Sequence, residues 1–155
     1  MPEESEYFSK EGLARMKTEL ENLKTKKRKE IADRLEYAKS LGDLSENSEY
    51  QEAKESQILN ETKIAEVEDT LRRAVIVGDN HSKEKVEIGS QIVVKNNTGK
   101  QSTFNIVGSK EAAPLENKIS NESPLGKALL GHKKNETIPV QTPKGIQEYK
   151  IVDII

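Results

Sequence analysis

Residues Gly42-Asp43-Leu44-Ser45-Glu46-Asn47-Ser48-Glu49-Tyr50 decide the fold, because they hold the one turn between two long runs of heptad-spaced apolar residues. Before the turn, apolar residues recur at Leu13, Met16, Leu20 and Leu23, meet Lys27 at a seam position, and resume at Ile31, Leu35 and Ala38. The seam therefore slips by about one residue near Lys27, a local stutter. After the turn, Tyr50, Ala53, Gln57, Asn60, Ile64, Val67, Leu71 and Ala74 keep an unbroken alternation of three and four residues. Residues 41–45 are too short a connection for anything but an antiparallel return, so the two segments predict a coiled-coil hairpin. At about 1.5 Å of rise per residue, roughly 27 residues per helix hold the turn about 40 Å from the base. Side chains there are presented to something distant.

The helix ends are written locally. Phe8, Ser9 and Leu13 occupy the positions of a hydrophobic staple around a serine N-cap, and Gly42 suits the left-handed position after the first helix. Glu11 with Arg15, and Glu30 with Arg34, place acid before base at four-residue spacing and add a little helix stability. Gln57 and Asn60 interrupt the apolar seam in its middle, where polar residues set register at some cost in stability.

Composition bounds the chemistry. The chain has 155 residues, 33% hydrophobic and 34% charged, which is polar for a globule of that length and implies a modest core. There is no cysteine, so disulfides and thiolate catalysis are excluded, and His81 and His132 are too few and too far apart to suggest a zinc site. Any metal would be a hard cation held by carboxylates. No run approaches a membrane span and Met1–Lys10 lacks the apolar stretch of a signal peptide, so no membrane partner and a cytoplasmic location are expected. Residues 1–78 carry 14 Lys and Arg against 18 Asp and Glu, and residues 79–155 carry 11 against 9. Neither half has the charge of a bulk nucleic-acid binder. The local exception is the basic run Lys24, Lys26, Lys27, Arg28 and Lys29 on the first helix, which also reads as an ordinary solvated face.

After Gly78 the period changes from heptads to alternation. Ser90–Asn96, Gln101–Gly108, Glu136–Thr142 and Ile146–Ile155 read as strands, with turns at Asn97–Lys100 and Pro143–Gly145. Ser123–Leu130 reads as a short helix, with Ser123 at the N-cap, Pro124 at the first helical position and Gly131 beyond the end. The expected architecture is α+β: a hairpin over 1–78, then a small, mostly antiparallel sheet with one short helix over 79–155.

At the turn, Asp43 and Glu46 have the spacing of a capping box, which would explain both without chemistry. The same stretch has no basic residue between Lys39 and Lys54, so it forms a bare negative end. Two carboxylates alone bind Mg²⁺ weakly, but they can complete a site that another molecule supplies.

The run Gly42 to Tyr50, with flanking Ala38, Lys39, Ala53 and Lys54, resembles the hairpin tip of the Gre family of bacterial transcript cleavage factors, GreA type. Asn121 to Gly131 and Val140 to Gly145 likewise resemble that family's FKBP-like C-terminal domain, so the resemblance covers nearly the whole chain. It implies a factor that inserts its hairpin through the secondary channel of bacterial RNA polymerase and stimulates cleavage of the 3′ end of backtracked nascent RNA. Asp43 and Glu46 would then help hold a second Mg²⁺ of the polymerase active site, not stably bound by the chain alone, and position the attacking water. Gly42, Leu44, Asn47 and Tyr50 would shape the tip. Lys26, Lys27, Arg28, Lys29, Lys39 and Lys54 would contact RNA phosphates, and the segment with Ser123, Pro124 and Gly126 would dock on polymerase. No small-molecule substrate and no catalysis by the chain alone are expected. Relatives often place a proline after Arg28; here Lys29 keeps its backbone donor, and Ser48 stands where alanine is common. Two other readings share the shape: a channel-binding inhibitor, against which the intact acidic pair argues, and a peptidyl-prolyl isomerase, for which only Phe104 and Tyr149 offer aromatic lining.

Overall fold

The computed structural model describes residues 5–78 and 82–155; His81 lies outside them. It divides into two compact units, Leu13–Arg73 and Met1–Gly12 with Ala74–Ile155. The division differs from the expected boundary at residue 78: the segment before Leu13 and the segment from Ala74 onward belong together. The reason is a parallel two-stranded ladder, β1 (Glu6–Phe8) on β2 (Ala74–Ile76), with Glu6 opposite Ala74 and Phe8 opposite Ile76. Phe8 is fully buried, and its carbonyl accepts from the Val77 amide at 2.8 Å. Ala74, read as the last seam residue of a helix, is instead the first residue of β2.

The helical unit is the hairpin. Its first arm runs through α1 (Lys10–Asn22), a π-helical segment (Leu23–Lys27) and α2 (Arg28–Ser40); its second is α3 (Ser48–Arg72), about 37 Å long at 1.5 Å per residue. Ile31 and Ala38 from α2 are buried with Ala53, Asn60, Ile64 and Val67 from α3, the residues the two patterns place on the seam. Lys27 is exposed although four-residue spacing from Leu23 puts it on the same line. The π turn accommodates the extra residue there, as a single inserted residue does in a π-bulge. Ser9 caps α1, its Oγ accepting from the Gly12 amide at 3.0 Å.

In the other unit a five-stranded sheet has the order β5-β4-β3-β7-β6, built from β3 (Gln91–Lys95), β4 (Gln101–Val107), β5 (Lys118–Ser120), β6 (Thr137–Thr142) and β7 (Gly145–Ile154). Three pairings are antiparallel and β4 with β5 is parallel, so the sheet is mixed. β5 is too short to leave a period in the sequence. Helix α4 (Pro124–Leu129) contributes Leu129 to a core of Ile92, Val94, Ile106, Ile138, Val140 and Ile151. A register shift between Val93 and Val94 explains why Ile151 and Ile154, three residues apart, are both buried: Val93 pairs with Asp153 but Val94 with Ile151. No helix among the described residues is long and apolar enough to cross a membrane.

Candidate functional site

The tip begins where α2 stops. Leu41 closes the helix, its amide donating to the Ala38 carbonyl at 3.1 Å, and Gly42 follows at φ +124°, a conformation that side-chain-bearing residues rarely adopt. From there Asn47 fixes the return. Its Oδ1 accepts from the Tyr50 amide at 3.1 Å, making Asn47 the N-cap of α3, and its Nδ2 donates to the Ala38 carbonyl at 2.5 Å. One side chain thus ties the C-terminal end of α2 to the N-terminal end of α3. Across the same turn the Gln51 Nε2 donates to the Leu44 carbonyl at 3.3 Å.

The capping-box spacing of Asp43 and Glu46 is not used, because α3 starts later, at Ser48, and Asn47 holds the cap. Asp43 instead closes a small turn of its own. Its Oδ1 accepts from both the amide and the hydroxyl of Ser45, each at 3.0 Å. The amide of Ser45, and next its hydroxyl, hold the Asp43 carboxyl below the usual aspartate range. Glu46 is exposed and makes no hydrogen bond or ion pair among the described residues. Hard carboxylate oxygens are the donors Mg²⁺ takes, so the pair suits that ion in kind. It falls short in number: among the described residues no group of three or more acidic or histidine side chains is gathered to hold a metal.

The other expected site residues separate into engaged and free. Arg28 grips Glu61 through two bonds of 2.9 Å, which raise the arginine's basicity and lower the pKa of Glu61, and Lys24 reaches Glu68 at 3.1 Å. Lys54 donates to Gln57 at 3.3 Å. Lys26, Lys27, Lys29 and Lys39 are exposed without a partner among the described residues. In the sheet unit, Ser123 caps α4, accepting from Gly126 at 3.0 Å and donating to the Ser120 carbonyl at 2.7 Å. Gly126 is buried against that same carbonyl, where a Cβ would fall 2.0 Å from the oxygen. Both are explained by folding, which leaves exposed Pro124 as the free member of the trio. Pro124 also borders a groove of about 330 Å³ shared with Leu125, Val140, Pro143 and Tyr149.

Sequence reasoning missed Ser45 and Gln51. An aspartate two residues before a serine is a local turn signature and could have found the first; nothing local reveals a glutamine reaching across the turn.

Comparison with known proteins divides the chain between residues 76 and 81. A family model described as "Transcription elongation factor, N-terminal" matches residues 6–76, and one described as "Transcription elongation factor, GreA/GreB, C-term" matches residues 81–155. The chain is 46% identical over 157 residues to the "Transcription elongation factor GreA" of Clostridium acetobutylicum, covering 99% of each chain. It is 46% identical over 159 residues to the protein of that name from Roseiflexus sp., again covering 99% of each. Among solved structures, the crystal structure of Thermus aquaticus Gfh1 is 32% identical, covering 98% of this chain and 99% of that one, with a TM-score of 0.45.

Proposed function

Since the chain belongs to the GreA/GreB family of transcription elongation factors, we propose that it acts on bacterial RNA polymerase in the cytoplasm, carrying Asp43 and Glu46 through the secondary channel to stimulate hydrolysis of the 3′ end of backtracked RNA. The observation that carries this reading is the tip itself. Two exposed carboxylates sit on a turn braced by Asn47 and Gln51, and neither caps a helix. The bonds to Ser45 account for Asp43 as a turn former, whereas Glu46 has no structural task among the described residues.

In this reading Asp43 and Glu46 supply the oxygen ligands that a polymerase-bound Mg²⁺ site lacks. Bound there, Mg²⁺ provides Lewis acidity and lowers the pKa of a coordinated water. Ser45 keeps the Asp43 carboxyl turned and ionised, so no proton has to leave it when the tip arrives. Glu46, free of partners, is the group able to orient or accept a proton from the attacking water. The free lysines of the first arm neutralise phosphates of the extruded strand, and exposed Pro124 with its groove meets the polymerase surface. The chain contributes ligands and position, while polymerase contributes the remaining ligands and the RNA, so the isolated protein has no nuclease activity of its own.

The test is RNA release from a stalled, backtracked elongation complex in Mg²⁺. Wild type is expected to cleave, while Asp43→Asn and Glu46→Gln bind polymerase as wild type does and lose at least about tenfold in rate, as removal of one stabilising group at a reacting centre commonly does. Equal loss of binding would remove catalysis from the tip. Binding by wild type without cleavage would favour an inhibitor.

A further inference from the structure

Asn60 places a carboxamide on the apolar seam at 6% exposure. Its Nδ2 donates to the Leu23 carbonyl at 3.1 Å, on the first residue of the π segment. That segment lies where eight residues, not seven, separate the seam positions Leu23 and Ile31. In an uninterrupted α-helix eight residues overshoot the seam by about 80°, and Lys27, four residues before Ile31, would lie along it. The π turn removes the overshoot: Ile31 is buried on the seam and Lys27 is exposed. The neighbouring cations divide around it. Lys24 and Arg28 are committed to Glu68 and Glu61, while Lys26, Lys27 and Lys29 are exposed and unpaired among the described residues.

We infer that Asn60 is a positioning residue for the basic run: its carboxamide holds the π segment, and the π segment turns Lys27 out of the seam to join Lys26 and Lys29 as a set of free cations for the phosphates of single-stranded RNA. A polar side chain on a seam costs stability and fixes register; here that register decides which lysines face outward. The inference rests on the reading of the basic run as an RNA contact.

The experiment compares full-length wild type, Asn60→Leu and Asn60→Gln on stalled elongation complexes with a long or a short extruded 3′ segment. Asn60→Leu is expected to melt no lower than wild type, because leucine suits the seam. It keeps wild-type cleavage of the short segment and loses several-fold on the long one. Its binding to the long-segment complex depends less on salt, the log–log slope becoming shallower by about 0.7, the value of one single-strand phosphate contact. Asn60→Gln, which retains the carboxamide, keeps the wild-type slope. Equal loss on both segments, or an unchanged slope in Asn60→Leu, overturns the inference. Amide exchange across residues 23–28 of the free protein decides independently of polymerase: faster exchange in Asn60→Leu supports a π segment held by Asn60, and identical protection overturns it. Failure of wild type to cleave either segment defeats the functional reading instead, and leaves the exchange result to decide the role of Asn60.

Discussion

At the tip, one serine sets the state of one carboxylate. Asp43 titrates below the usual aspartate range because the Ser45 amide, and then its hydroxyl, donate to it. With the folded pKa depressed, these bonds stabilise the turn fully above the unfolded pKa, and that contribution is lost as pH falls through the folded value. The tip is therefore intact and charged at neutral pH and loosens as pH falls below the usual aspartate range. Ser45→Ala removes the hydroxyl and keeps the amide, so the Asp43 pKa should move up part of the way; carbon-13 NMR titration of the carboxyl measures it, and an unshifted titration would show the hydroxyl to be idle. Much of this site was legible beforehand, since Gly42 at the helix end and the acidic pair both announce themselves locally. The N-cap was not. Asp43 and Glu46 have the spacing of a box, but Asn47, five residues beyond Gly42, reaches the Ala38 carbonyl only after the chain has turned, and spacing along the sequence does not record that reach.

Among the elements, the first arm shows what periodicity can and cannot say. The slip at Lys27 was visible as a count of residues, yet a one-residue excess can be absorbed by a stutter, a kink or a π turn, and only packing against α3, where Asn60 bonds the Leu23 carbonyl, selects among them. Deleting Thr25 should restore a seven-residue interval from Leu23 to Ile31 and permit an uninterrupted α-helix. The hairpin is expected to melt at or above the wild-type temperature by circular dichroism, because a π turn is the rarer and less favourable geometry. Deleting Glu36 instead rotates everything beyond it by about 100° and should unfold the tip-proximal half. Equal damage from both deletions would mean that the π segment takes up no extra residue. The strands follow the same rule: β3, β4, β6 and β7 alternate and were readable, whereas β1, β2 and β5 have three residues each and exist only through partners distant in sequence.

For the molecule as a whole, the unit carrying the sheet is discontinuous, with the hairpin inserted between β1 and β2. Its early segment is held on several sides. The amide and hydroxyl of Ser9 donate to the Glu111 carboxylate at 2.8 and 2.6 Å, and the Tyr7 carbonyl lies where a Cβ on Gly108 would fall 1.7 Å from the oxygen. Gly108→Val should therefore displace β1 and cost about 1–3 kcal/mol of stability, the range for overpacking. Denaturant unfolding followed by near-ultraviolet and far-ultraviolet signals would show the sheet unit failing first while the helical signal persists; simultaneous loss would argue against separate units. The insertion also orders events in time. β1 leaves the ribosome ahead of β2, and Glu111 follows Ser9 about a hundred residues later, roughly 5–20 s at ordinary elongation rates. Through that interval the hairpin can fold on its own short-range contacts and β1 can pair with β2 as soon as residues 74–76 emerge, while Ser9 still waits for Glu111.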